Sequence, residues 1–575
     1  MKLKKTMAAL MALSMLAGAV PAGADIARVA PEGETKEYNF WANYNPTYQT
    51  DWEGMKCWQY FEEATGVHIN WTLYSNRDEM NEKRSLLFAA GDMNAFPDAF
   101  FRAGVTDAQL KQYGPDGMFM DLSELVKEYG PDITAAIDTM NAWSSVLDPE
   151  PGAMYSLPSL SNSYSARMHP KLFLNTKMME NVGATEMPTT TDELYDLLVK
   201  VRDNDANGNG DATDEIGITS NYPSNVIRAF TGAFGICNRG RDELSIDADP
   251  ADETKVRFTY TTDGYRKMLS YMNKLYEENL LDHDLFGVST SNMVAKGSQN
   301  MIFGLSYTNI SAAALGESDY AGLDVALKGP DGDQQWNNLS SGIGTGNFVI
   351  SGNVAEEDAI NMIKWANNLY TEEGATMLYF GKEGVDFNYD ENGYPTFTDE
   401  LMSQITSDNP YDTVVSQITC YASGGVPGYV TDKTSCSSEC RGVPLQAAEK
   451  MAPFANAITW HFNFTTEENE EVNTLRSDIL TNCQEVYQAK FITGELDVDD
   501  DAVWQGYVDE INGLGVEDYL ALYQTALESR GKRGKIFQNA NAGVFARAFP
   551  PYCFRDFADE CILVGGNRCK SGERV

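Results

Sequence analysis

Residues 171–219 read KLFLNTKMMENVGATEMPTTTDELYDLLVKVRDNDANGNGDATDEIGIT. The stretch opens on a short strand-like run, KLFLN. Thr190 is placed to cap a helix, with Glu193 three residues on as its capping-box partner. Leu194, Leu197, Leu198 and Val201 then recur at i, i+3, i+4 and i+7, the buried face of an amphipathic helix. The helix runs directly into DNDANGNGDATDE, an acidic, glycine-bearing loop that ends where the next strand, EIGIT, begins.

That loop has the composition of a calcium site. A hard cation takes six to eight oxygens, and alternate Asp and Asn side chains on a tightly turning backbone supply them. Two registers fit. Counted from Asp203, the donors are Asp203, Asp205 and Asn207, with Gly208 at position 6 and Asp214 at position 12, close to EF-hand spacing. Counted from Asp205, they are Asp205, Asn207 and Asn209, with Gly210 at 6, the Asp211 carbonyl at 7, and Asp214 and Glu215 closing the cage. A solvated acidic turn is the alternative, since Asn-Gly runs turn without metal. The expected cofactor is Ca²⁺ in a structural rather than a catalytic role.

Working outward, Lys2, Lys4 and Lys5 precede an apolar run from Met7 to Val20, and Ala22-Gly23-Ala24 forms an A-x-A cleavage site. Residues 1–24 are therefore expected to be a signal peptide. No later run reaches the ~18 apolar residues of a membrane span, so an extracytoplasmic location, secreted or associated with the cell surface, is expected. Leu16-Ala17-Gly18-Ala19 resembles a lipid-attachment box with Ala19 where the cysteine belongs, which leaves a lipid anchor unsupported. With 43 basic and 84 acidic residues the net charge is −41, arguing against nucleic acid or an anionic membrane as partner. Nine cysteines show no dense disulfide framework and no paired zinc steps, and read mostly as small buried apolar residues.

Further segments carry a family resemblance. In order they are YNFWANYN, CWQYFEEATG, VHINWTL, EKRSLLFAAGDMNAFPDAFF, GMFMDLSEL, GYRKMLSYMNKLYEENLLD, GPDG at 329–332, FGKEGVDFNYDENGYP at 380–395, AKFITGELDVDD and WQGYVDEINGLGVEDYLALYQTAL. In this order they resemble the extracellular solute-binding proteins of carbohydrate-type ABC importers, family 1, in particular the branch with lipoprotein-like and alginate-oligosaccharide-binding members. The second calcium register resembles that branch's DPNGNG–DE loop, with one more residue here before the acidic pair.

The resemblance implies an α/β, two-lobed, type II periplasmic-binding-protein-like fold with hinge-linked lobes of interleaved segments. Residues 25–157 and 345–415 would form one lobe, and 158–344 and 416–529 the other. Residues 530–575 reverse the charge bias, with nine basic side chains against four acidic. They read as a docking tail or as an extension outside the fold. The implied function is capture of a polar solute, most naturally an oligosaccharide, by a monomer that delivers it to a membrane permease. Ligand residues belong on loops at strand C-termini, where aromatic faces and planar polar groups grip sugars. By that criterion Trp41, Asn43, Tyr44, Arg102, Tyr164, Tyr222, Tyr307, Trp336 and Glu383 are the candidates. No catalytic residue is expected, because the four histidines show no HExxH pairing and no GxSxG elbow occurs. A secreted polysaccharide-active enzyme and a sensory binding protein are the alternatives.

Overall fold

The computed structural model describes residues 26–44, 51–147, 152–168, 170–239, 244–308, 319–338, 341–406, 411–419, 426–455, 462, 464 and 466–528. The expected signal peptide and the basic tail lie outside these residues.

In the opening stretch the local chemistry works as written, with one shift. Thr190 Oγ1 accepts from Glu193 N at 3.1 Å. The Glu193 carboxylate reaches one residue further back than a capping box requires, to Thr189 N at 2.8 Å and Thr189 Oγ1 at 2.7 Å. These bonds hold its carboxyl below the ordinary carboxylate range. The helix Thr191–Arg202 buries Leu194, Leu197, Leu198 and Val201; each such burial is worth roughly 1.5–3 kcal/mol.

Four strands precede the first change of lobe: β1 (Lys36–Asn43), β2 (Val67–Tyr74), β3 (Ala99–Phe101) and β4 (Leu157–Asn162). Six follow it: β5 (Lys171–Asn175), β6 (Ile216–Thr219), β7 (Ile246–Asp249), β8 (Asp252–Phe258), β9 (Ile302–Tyr307) and β10 (Tyr320–Gly322). The remainder are β11 (Ile343–Ile350), β12 (Phe387–Tyr389), β13 (Pro395–Phe397) and β14 (Gly428–Thr431). One sheet runs β14-β4-β11-β3-β1-β2 and a second runs β10-β5-β9-β6. Within the first, β11 is antiparallel to β3 and β4 while β14 is parallel to β4. The directions follow from the connections. β4 leaves the sheet at the lobe junction and β11 re-enters there, so it must run the opposite way.

Each lobe closes over its own core. The first is aromatic: Trp71 stands edge-on to Trp52 at 5.0 Å and to Phe101 at 5.3 Å, with Trp58 at 5.2 Å and Trp365 packed beside them. The second joins Leu194, Leu198, Met268, Leu269 and Met272 to Trp504, Tyr507, Ile511, Tyr519 and Tyr523 from the C-terminal helices. This is why the chain must return to the second lobe to finish it. In the GPDG turn a Cβ on Gly329 would lie 1.7 Å from the Ala233 carbonyl oxygen, so only glycine fits there. All five described cysteines, Cys57, Cys237, Cys436, Cys440 and Cys483, are buried.

The lobes exchange chain later than expected at two places. β4 at 157–162 still belongs to the first sheet, and the second core begins with Met168. The third exchange falls after Cys436 rather than near 415. Ile418, Val426 and Cys436 pack in the first core, and β14 supplies that sheet's edge. Only at Gly442–Met451 does a helix turn to the second lobe, where Ala447 sits 2.4 Å from the position a Cβ on Gly322 of β10 would take.

Candidate functional site

The chain segments that pass between the lobes meet in a polar junction. Asp432, just past β14, accepts hydrogen bonds from Ser163 Oγ (2.5 Å), Tyr164 N (2.8 Å) and Ser165 N (3.2 Å) at the end of β4. Lys171, the first residue of β5, has no exposed side chain. Its Nζ donates to Ser165 O at 2.9 Å and to Thr308 O at 3.1 Å, and lies 4.0 Å from Glu439 Oε2. Burial pushes this amine's pKa down, and Glu439 opposes that. One ammonium thus ties the first passage to the end of β9 and to the third passage.

Aromatic side chains open onto this junction. Tyr164 is 45% exposed and Tyr222 61% exposed. Tyr307 lies directly across the β5–β9 ladder from Lys171. Its hydroxyl pKa is raised by burial first, then by the charge of Glu439 and by Tyr222, which puts all three in one neighbourhood. Arg167 stands beside Tyr164, its guanidinium 5.6 Å from the ring centre, and donates to Asn162 Oδ1 and Ser163 O at 3.3 Å each.

The first lobe brings a second group to its strand ends. Trp41 is half-buried against Tyr74 (5.4 Å) and Phe100 (5.9 Å). Asn43 Nδ2 and Tyr44 N both donate to Tyr74 O, at 2.9 and 3.0 Å. Arg102 takes the left-handed backbone region at φ 51° and donates from Nη1 to Asn43 O at 3.1 Å. From this lobe Lys111 Nζ reaches Phe464 O of the other at 3.2 Å, so the two faces approach each other.

Two candidates fall elsewhere. Trp336 is only 3% exposed and belongs to the second core, its backbone held by Phe454 O and its carbonyl accepting from Cys237 Sγ. Its ring therefore packs inside the lobe instead of lining a cleft, although its Nε1 has no partner. Glu383 is exposed beside β12, next to Asp386, which binds Lys56 (2.6 Å) and Tyr60 (2.8 Å) of the first helix; it joins neither group. Sequence reasoning missed Arg167, Lys171, Asp432 and Glu439. The one available signal was a lysine heading the otherwise apolar run KLFLN.

The loop 203–215 is wound around its own side chains. Asn209 N donates to Asp205 Oδ1 (3.0 Å) and to Asn207 Oδ1 (2.9 Å), and Gly210 N to Asp205 Oδ2 (2.9 Å). Asp211 N donates to Asn209 Oδ1 at 2.8 Å. The amides of Asn207 and Asn209 both donate to Asp214, at 3.0 and 2.7 Å. Glu215 Oε1 accepts from Ala206 N at 2.7 Å, while its buried Oε2 has no partner. Gly208 and Gly210, at φ 74° and 94°, make the turns. Asp203 stands apart, tied to Arg202 Nε at 2.8 Å. Among the described residues no group of three or more His, Cys, Asp or Glu is disposed as a metal cluster. Half of this loop's donors are instead Asn amides and a backbone carbonyl.

Of the four histidines, His68 is bonded to Glu62 at 2.8 Å and His283 stacks on Tyr276 at 4.3 Å, both outside these groups. His169 and His461 lie outside the described residues. Among the described residues no helix is long and apolar enough to cross a membrane.

Two lobes, each with its own core, joined by several passages and presenting aromatic side chains at the junction, define a binding protein of the hinged type. Residues 42–376, more than half of the 575, match the bacterial extracellular solute-binding protein family, and the chain belongs to it. It is 24% identical over 509 residues to the fructooligosaccharide ABC transporter substrate-binding protein FusA of Streptococcus pneumoniae, covering 86% of this chain and 90% of that one. FusA in complex with kestose superposes with a TM-score of 0.64 at 21% identity, over 86% of this chain and 100% of that one. FusA has also been solved as an EF-hand mutant with fructo-nystose, at a TM-score of 0.63 and 22% identity, over 86% and 100%. An HMO-binding solute-binding protein associated with an ABC transporter of Bifidobacterium longum infantis gives 0.68 at 18% identity, over 86% and 99%. The alginate-binding protein AlgQ2 without calcium ion gives 0.62 at 16%, over 88% and 100%. These likenesses establish the type II periplasmic-binding-protein fold.

Proposed function

We propose that the protein captures a soluble oligosaccharide between its lobes, leaves it chemically unchanged and delivers it to the permease of an ABC importer. The observation that carries this is the pair of exposed tyrosines, Tyr164 and Tyr222, beside Tyr307 where the lobes join. Exposed rings at a hinge are what the C–H faces of sugars stack on. Trp41, Asn43, Tyr44 and Arg102 would meet the ligand from the first lobe. The relatives' oligosaccharide ligands support the same class. As a member of an extracellular family, the protein acts outside the cytoplasmic membrane.

We further assign a structural calcium ion to the loop, in the register that begins at Asp205. Asp205, Asn207, Asn209, the Asp211 carbonyl, Asp214 and Glu215 would hold it. The unpartnered, buried Glu215 Oε2 supports this, and so does the diversion of Asp203 to Arg202. FusA solved as an EF-hand mutant and AlgQ2 solved without calcium ion point the same way.

A thermal-shift screen of the calcium-loaded protein against a glycan panel tests the function. Ligand at ~100 times its Kd adds about 2.7 kcal/mol to the native state, and the melting temperature rises accordingly. Small-angle scattering with that ligand is expected to show a smaller radius of gyration, because the lobes close about the hinge. Hydrolysis of the glycan by purified protein would reject the reading in favour of an enzyme.

A further inference from the structure

The helix Pro223–Thr231 is tied to the lobe junction at both ends. It starts at Tyr222, shortly after β6. Ser306 Oγ, beside Tyr307, donates to Asn225 O in its first turn at 2.8 Å. In its last turn Arg228 O and Thr231 Oγ1 accept from Asn337 Nδ2, at 2.7 and 2.9 Å. Asn337 lies in the segment that leads to β11, the second passage between the lobes. Only Pro223, Ser224 and Arg228 of this helix are not buried. Ser224 and Arg228 stand four residues apart, so they share one open face. Side chains on a helix lean toward its N-terminus, which lays the Arg228 side chain over the turn headed by Ser224, in the direction of the exposed Tyr222.

Arg228 is also set apart by what it does not touch. The other junction arginines are engaged on the protein: Arg102 on Asn43 O, Arg167 on Asn162 and Ser163, Arg441 on the Asp432 and Cys440 carbonyls. Among the described residues Arg228 alone is a half-buried arginine whose guanidinium has no hydrogen bond, ion pair or ring contact. Its planar fork of N–H donors is left for an acceptor from outside the chain.

Resting on the binding function proposed above, we infer that Arg228 is a ligand-binding residue of the second lobe. A sugar stacked on Tyr222 presents two adjacent oxygens to its fork, either a vicinal hydroxyl pair or a uronate carboxylate.

Calorimetric titration of the calcium-loaded protein with neutral fructo-, xylo- and malto-trisaccharides, and with trimeric galacturonate and alginate, tests this. Arg228→Gln is expected to weaken the sugar that wild type binds best by about 10- to 150-fold, with an unchanged melting temperature because no bond within the protein is lost. Loss on a neutral sugar assigns the hydroxyl pair; loss confined to a uronate assigns the carboxylate. Arg228→Lys keeps the charge without the fork and is expected to fall between wild type and Arg228→Gln. Wild-type affinity in folded Arg228→Gln overturns the inference and leaves the binding function intact, and full affinity in Arg228→Lys overturns the fork. Failure of wild type to bind either series overturns that function itself. Should the variants not fold, phenylglyoxal labelling of wild type read by mass spectrometry decides: saturating sugar is expected to protect Arg228, and equal labelling with and without it overturns the inference.

Discussion

Trp336→Ala is expected to cost about 3–5 kcal/mol of stability, the range for emptying a large aromatic site in a packed core. The residue is 3% exposed among the second core's side chains, and its backbone joins the 230s to Phe454. Chemical denaturation with and without ligand reads the loss directly: the midpoint falls in both cases. A stability unchanged within error, with ligand affinity alone reduced, would return Trp336 to the cleft. Trp336→Phe sharpens the test. It keeps most of the ring and deletes an N–H that has no partner, and removing an unsatisfied buried donor offsets part of the lost packing. Its cost is expected to be about 1 kcal/mol, well below that of alanine.

Calcium removal is expected to have the other large effect. At about 1,000 times its Kd a cation that binds only the native state adds about 4.1 kcal/mol. Stripping it also leaves Asp205, Asp211, Asp214 and Glu215 crowded in one turn with nothing to balance them. A chelator should therefore lower the melting temperature by several degrees, calcium should restore it, and magnesium should do so poorly, since it demands a tighter octahedron than this loop offers. Glu215→Gln keeps an oxygen for the Ala206 and Asn207 N–H groups and loses the charge. It is expected to melt near the chelated wild type and to respond little to chelator. A protein shown to carry calcium that melts identically with and without chelator has no structural site here.

The effects should be separable. The loop begins at the C-terminal end of the helix Thr191–Arg202, whereas the proposed ligand groups sit where the lobes join. Glu215→Gln should thus lower stability with little change in ligand affinity in excess calcium. A binding protein can in this way keep one lobe rigid through its metal while leaving hinge residues at the junction to absorb the closing motion.

The amino-acid sequence by itself determined whatever rests on neighbours a few residues apart. The cap at Thr190, the buried face Leu194–Val201 and the self-wound loop after Asp205 are all interactions within one or two turns of chain. The ordered segments also determined the two-lobed class and the family. Which aromatic ring is core and which is exposed was a tertiary decision. Trp336 and Tyr222 look equivalent in the sequence, each an aromatic in a polar loop. One is enclosed by Phe454 and Cys237 and the other stands 61% open. The third passage between lobes was misplaced for the same reason: β14 is recognisable only by its pairing with β4, some 270 residues earlier. The junction's charges were least legible of all. Asp432 reaches Tyr164 across 268 positions and Lys171 lies opposite Glu439 across a similar span. A buried ammonium finds its carbonyls and carboxylate only once separate passages of the chain have been brought to one place, because no local pattern encodes a partner that only the closed fold supplies.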